Sequence, residues 1–81
     1  MAIEATIKTA EGFDIGKYRF DSYTDLRLHI SNVVKPTDDV KPRYGWVGDY
    51  EDHITAYTHD MKVIATWWLD LDENGNVKQV A

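Results

Sequence analysis

Asp70, Asp72, Asn74 and Gly75 fall in "LDLDENGNVKQVA" at the spacing that opens a calcium-binding EF-hand loop. Such a loop needs oxygen donors at alternate positions, glycine at the sixth residue, a bidentate acid at the twelfth and a helix on either side. Counted from Asp70, the sixth residue is Gly75, but the twelfth is Ala81, which cannot chelate. The preceding "IATWWLDL" alternates like a strand rather than a helix. Asp72-Glu73-Asn74-Gly75 suits a type I turn with glycine at the positive-φ position that follows it. That turn pairs Leu71 with Val77, Asp70 with Lys78 and Trp68 with Val80. The expectation is a hairpin, with no metal site.

The histidines His29, His53 and His59 offer imidazole ligands. His53 and His59 would share one face of a strand, but six residues of strand span ~20 Å, too far to hold one ion. His29 falls at the edge of a helical apolar stripe, as a half-buried residue. Acid–base chemistry is offered by Asp49, Glu51, Asp52 and His53 in "GDYEDH", which reads first as an acidic loop between strands. Ser22 suits a helix cap, and neither it nor Ser31 lies in a nucleophile elbow. The absence of cysteine excludes a thiol nucleophile, a disulfide framework and a Cys-based zinc site. With no phosphate-cradling glycine loop either, the chain is expected to be no enzyme and to carry no cofactor.

The elements that must position these residues follow from hydrophobic period. "IEATIKTA" puts Ile3, Ala5 and Ile7 on one side of a strand. "FDIGKYRF" alternates in two phases, with a slip at Gly16–Lys17 that a bulge would absorb. Ile7 then faces Ile15, Ala5 faces Tyr18 and Ile3 faces Phe20. "SYTDLRLHISNVV" is a helix capped by Ser22, with Asp25 three residues on and Tyr23, Leu26, Ile30, Val33 and Val34 on its apolar stripe. Leu28 points the other way. Pro36 stops the helix, and "KPTDDVKPR" is a polar loop. Four strands follow: "YGWVG", "HITAYT", "KVIATWWLDL" and "NVKQV". The middle two register with Thr58 opposite Val63, Ala56 opposite Ala65 and Ile54 opposite Trp67. On the reverse side Tyr57 faces Ile64, Thr55 faces Thr66 and His53 faces Trp68.

The 81 residues therefore predict a single α+β domain over 1–81. Its fold is a twisted antiparallel sheet of five to six strands with one helix packed on one face, in the order β-β-α-β-β-β-β. The helix-facing side should carry Ile54, Ala56, Val63, Ala65, Trp67, Leu69 and Leu71. The other side should carry His53, Tyr57, Ile64, Trp68 and Val80, and one helix cannot cover both. Either the 35–43 loop folds over that second face or a partner does. Both alternatives stay open; aromatic anchors ringed by acids are what a protein-binding surface uses, and in that case the candidate partner-binding residues are Trp68, Tyr57, Ile64, His53, Asp49, Glu51 and Asp52.

Fourteen acids against nine bases give a net charge of −5, which opposes direct binding to nucleic-acid phosphates and suits a basic protein partner or simply solubility. A second copy of the chain, as a homodimer, is the other candidate partner. Asp38, Asp39, Asp70, Asp72 and Glu73 would join Asp49, Glu51 and Asp52 in steering a basic partner. No apolar run reaches the ~20 residues that span a bilayer, and "MAIEATIKTAEG" is not a signal peptide, so a cytoplasmic, non-membrane protein is expected.

"IATWWLDLDENGNVKQV" resembles the closing hairpin of nuclear-transport-factor-2-like domains, which carry more N-terminal helix than this chain. That resemblance implies a cone-shaped ligand pocket. In length, acidity and lack of motif the chain is also similar in type to small phage-encoded anti-defence proteins, anti-CRISPR inhibitors among them. That similarity implies a non-catalytic inhibitor that occupies a host defence or nucleic-acid-handling protein in the host cytoplasm, and it carries no residue over. The alternative is a small-molecule-binding module or small enzyme with a pocket between helix and sheet, lined by His29 or Tyr23.

Overall fold

Thr9, Thr58 and Asp72 open three turns of one design. The computed structural model describes residues 2–34, 45–58 and 60–80, and these turns join or close its strands. In each, the carbonyl of the first residue accepts the N–H three residues on, from Gly12, Met61 and Gly75 at 2.9, 3.0 and 3.1 Å. Those three donors all have positive φ, at 90°, 66° and 82°. The side-chain oxygen of Thr9, Thr58 or Asp72 then accepts the next N–H, from Phe13, Lys62 or Asn76, at 3.1, 3.1 and 3.0 Å. Each is a tight turn closed by a residue of positive φ and stapled by its own first side chain. Asp72 also accepts the Asn74 N–H at 2.9 Å, so its carboxylate is turned into its own loop. The calcium-like spacing is a turn.

The strands so joined are β1 (Ile3–Thr9), β2 (Asp14–Phe20), β3 (Trp46–Asp49), β4 (His53–Tyr57) and β5 (Val63–Leu69), with α1 (Tyr23–Val34) between β2 and β3. They form one antiparallel sheet in the order β2-β1-β5-β4-β3. This is the expected small α+β architecture. The predicted sixth strand is reduced to two isolated bridges, Leu71 to Val77 and Ala2 to Val80. Trp68 therefore does not face Val80. An interior strand has two edges only, and those of β5 are taken by β1, with Thr6 opposite Trp68, and by β4. The tail after the turn pairs instead with Ala2, through two 2.7 Å hydrogen bonds. The resemblance to a longer closing hairpin ends there.

The predicted bulge between β1 and β2 is real but displaced by one residue, and a bulge that was not predicted lies between β4 and β5. Across β1 and β2, Ile3 faces Phe20 and Ala5 faces Tyr18 as expected, but Ile7 faces Gly16, and Ile15 is the extra residue. The Asp14 carboxylate accepts the Gly16 N–H at 3.1 Å, and Gly16 sits at φ 139°, which draws the bulge one residue forward. Across β4 and β5, His53, Ile54, Thr55 and Ala56 face Trp68, Trp67, Thr66 and Ala65. Beyond them a second bulge pairs Tyr57 with Val63 rather than Ile64. The tight Thr58–Lys62 turn, not an open four-residue loop, sets that shift.

The core is Ile3, Ala5, Ile7, Ile54, Ala56, Ala65, Trp67 and Leu69 from the sheet, closed by Leu26 and Ile30 of α1. Val63 and Leu71, expected in it, are exposed. A twelve-residue helix is ~18 Å long and covers the middle of the sheet rather than the ends of β5. The Ser22 hydroxyl oxygen accepts the Asp25 N–H at 3.1 Å and caps α1. Val33 and Tyr23, placed on the apolar stripe by period, are also exposed, as is Leu28. The helix is instead held along its flanks. On one side Arg27 meets Asp49 of β3 at 2.8 Å, and the Tyr23 hydroxyl donates to the same carboxylate oxygen at 3.4 Å. On the other, His29 packs on Phe20, with ring centroids 5.3 Å apart. Among the described residues no helix is long and apolar enough to cross a membrane.

Candidate functional site

Trp68, His53 and Tyr57 share the sheet face that α1 does not cover, and the structure brings them together through a residue the sequence reading passed over, Tyr50. The turn between β3 and β4 is tight, with the Tyr50 N–H donating to the His53 carbonyl at 2.9 Å. The two residues that flank a two-residue turn face each other on one side of a hairpin. Their rings stack at 4.5 Å and 15°. His53 lies 4.3 Å from Trp68, its cross-strand neighbour, at 31°. At the far end the Tyr50 and Tyr57 hydroxyls are 3.1 Å apart. Four aromatic residues thus make a continuous ladder, Tyr57–Tyr50–His53–Trp68, across β4 and the strands beside it.

Small residues make room for it. A Cβ on Gly48 would lie 3.2 Å from both the Tyr50 and the Tyr57 ring. Thr55 is 5% exposed despite lying on this face, and its hydroxyl meets that of Thr66 at 3.3 Å. The ladder lies against the sheet with part of its surface exposed: Trp68 is 37% and Tyr50 49% exposed. The hydrogen bond with Tyr50, more than burial, holds the Tyr57 phenol above its usual pKa. Beside them Val47, Gly48, Tyr50, Tyr57 and Met61 line an open groove of about 470 Å³.

Met61 stands out in that groove because it occupies, at φ 66°, the turn position that glycine fills at Gly12 and Gly75. A non-glycine residue there costs ~1–2 kcal/mol. Met61→Gly is accordingly expected to stabilise the fold by about 1 kcal/mol in urea melts. A lowered midpoint would mean that the methionine's packing outweighs its strain.

The other predicted site residues divide. Asp52 belongs with the ladder, since its carboxylate meets the His53 Nδ1 at 2.7 Å and fixes the ring. Glu51 is exposed in the same turn. Asp49 does not belong there, because its carboxylate is turned to Arg27 and Tyr23 beside the helix. Ile64, displaced by the bulge, packs against the core cluster. The 35–43 loop, Asp38, Asp39 and His59 lie outside the described residues. The carboxylate-oriented imidazole of His53 is packed between Tyr50 and Trp68. Among the described residues no group of three or more histidines and acids is placed to hold a metal ion.

His29 and Tyr23, the residues named for a pocket under the helix, are both exposed, so His29 is not half-buried as expected. His29 meets Trp67 edge-on at 5.8 Å, and Tyr23 reaches Asp49. The largest fully buried side chains, Trp67, Leu26, Ile30 and Ile54, fill that interface. Comparison of the chain with protein-family models, with curated proteins and with solved structures returned no match.

Proposed function

We propose that this is a small, acidic, non-catalytic binding protein that acts by occupying a macromolecular partner through the Trp68 face. The observation that carries the reading is the ladder: polar-tipped aromatic rings, held by one another, on the sheet face opposite the helix. Interface anchors are enriched in tyrosine and tryptophan because such rings bury much area and lose little rotamer freedom. Rings already stacked lose less still on binding. The acidic balance of the chain supports a basic protein partner and opposes nucleic-acid phosphates. The similarity in type to phage-encoded anti-defence proteins supports a host defence or nucleic-acid-handling protein as that partner, met in the host cytoplasm.

Replacing Trp68 with serine tests this reading. The variant should keep a cooperative urea transition, losing no more than ~1–2 kcal/mol for a ring that is already partly in water. Tagged parent and variant are then compared in pull-downs from the source cell and in sedimentation velocity. A protein captured by the parent, or self-association of the parent, should vanish in the variant. If Trp68→Ser unfolds the chain, the outer face is internal core and the reading fails.

A further inference from the structure

The acids around the ladder differ in their partners. Arg27 engages Asp49 at 2.8 Å, and Lys17 forms an ion pair with Asp70 across β1. Asp52 and Glu51, in the turn that carries Tyr50 and His53, have no lysine or arginine partner among the described residues. Asp52 gives one oxygen to His53, and its side chain is 49% exposed. Two carboxylates without a lysine or arginine partner among the described residues therefore sit in the turn between Tyr50 and His53, beside a preformed aromatic stack. Beside it opens the groove bounded by Tyr50, Tyr57 and the strained Met61.

Resting on the reading of this face as a docking surface, we propose that its occupant is an arginine side chain of a basic polypeptide, stacked on Tyr50 with its guanidinium toward Asp52 and Glu51. The chemistry selects arginine on three grounds. A guanidinium is planar and weakly hydrated, so it stacks on an aromatic face where the compact, strongly hydrated lysine ammonium does not. Its fork of N–H donors matches a carboxylate, and His53 engages one of the two Asp52 oxygens. A nucleobase could stack equally well, but its phosphates would meet these same carboxylates.

The test uses the whole chain labelled with nitrogen-15 and three probes: a short glycine-serine peptide carrying arginines, its lysine twin, and an oligothymidine. The arginine peptide should bind saturably, with shifts confined to residues 47–53, Met61 and the Trp68 indole. The lysine peptide should bind about 3- to 5-fold more weakly, the advantage of a stacked guanidinium at an exposed site. Asp52→Asn should weaken the arginine peptide by about 3-fold, and Tyr50→Ala should abolish its preference over lysine. Equal affinity for the two peptides, shifts spread over the whole acidic surface, or tighter binding of the oligothymidine would each overturn the proposal. So would the absence of saturation at millimolar peptide. The underlying docking reading stands or falls separately: if Trp68→Ser strips a captured partner that the arginine peptide does not displace, the face docks a partner but not through arginine, and the arginine proposal alone fails.

Discussion

Replacing Trp67 with alanine is expected to unfold the domain at room temperature or leave it barely folded. Trp67 is 2% exposed at the centre of β5, with Ile7 of β1 on one side and Ile54 of β4 on the other. Truncating a buried aromatic costs ~3–5 kcal/mol, the lost transfer energy plus the cavity left behind. At ~0.05–0.15 kcal/mol per residue, a chain of 81 residues holds roughly 4–12 kcal/mol in all. One side chain therefore accounts for a large share of it. Urea melts followed by circular dichroism read the loss directly. A midpoint equal to the parent's would place the core elsewhere. Trp67→Phe is expected to cost far less than the alanine change. The buried indole N–H has no hydrogen-bond acceptor among the described residues. Leaving such a donor unpaired costs ~1–3 kcal/mol, a penalty that phenylalanine does not incur.

The contrast between Trp67 and Trp68 was legible in the sequence because strand alternation assigns neighbours to opposite faces, and the register through Thr55 and Thr66 follows from it. The helix was legible from its cap and from Leu26 and Ile30. What failed to show was decided by chain geometry that composition does not encode. Glycine announces the turns at Gly12 and Gly75, but the same turn at Met61 carries no glycine, so the bulge at Tyr57 went unread. The matching threonines, Thr9 and Thr58, were the available signal. The tail was drawn onto β5 because pairing by pattern ignores that β1 competes for the same edge. For the site, alternation found Trp68, His53 and Tyr57. Tyr50 escaped because it lies outside any strand, in a stretch weighed only for its acids. Reading it as the residue that closes a two-residue turn with His53 would have placed it on the ladder.

Gly45→Ala is expected to cost about 3 kcal/mol, the upper end of what overpacking does. The reason is space rather than backbone conformation. Gly45 is not among the glycines of positive φ, yet a Cβ there would lie 2.3 Å from the Tyr57 carbonyl oxygen and 2.8 Å from Cβ of Val34. The nearer atom is backbone, which cannot swing aside as a flexible side chain would. Gly75 is the opposite case, with φ 82° and nothing within 4 Å of the added carbon, so Gly75→Ala should cost only ~1 kcal/mol, and Gly75→Asn less because asparagine tolerates that region. Asparagine should bring no such relief at Gly45. Urea melts of the four variants separate the two mechanisms, and equal losses for Gly45→Ala and Gly75→Ala would refute the steric account. The clash also reaches the candidate site. Tyr57 closes the ladder at its groove end, and the carbonyl that Gly45→Ala must push away is Tyr57's own. In whatever fraction of the variant still folds, the Tyr50–Tyr57 contact should be the first to open, with ring resonances of both residues shifted while those of Trp67 stay in place. Tyr50 and Tyr57 resonances that do not move would show that the ladder is held from the His53 side alone.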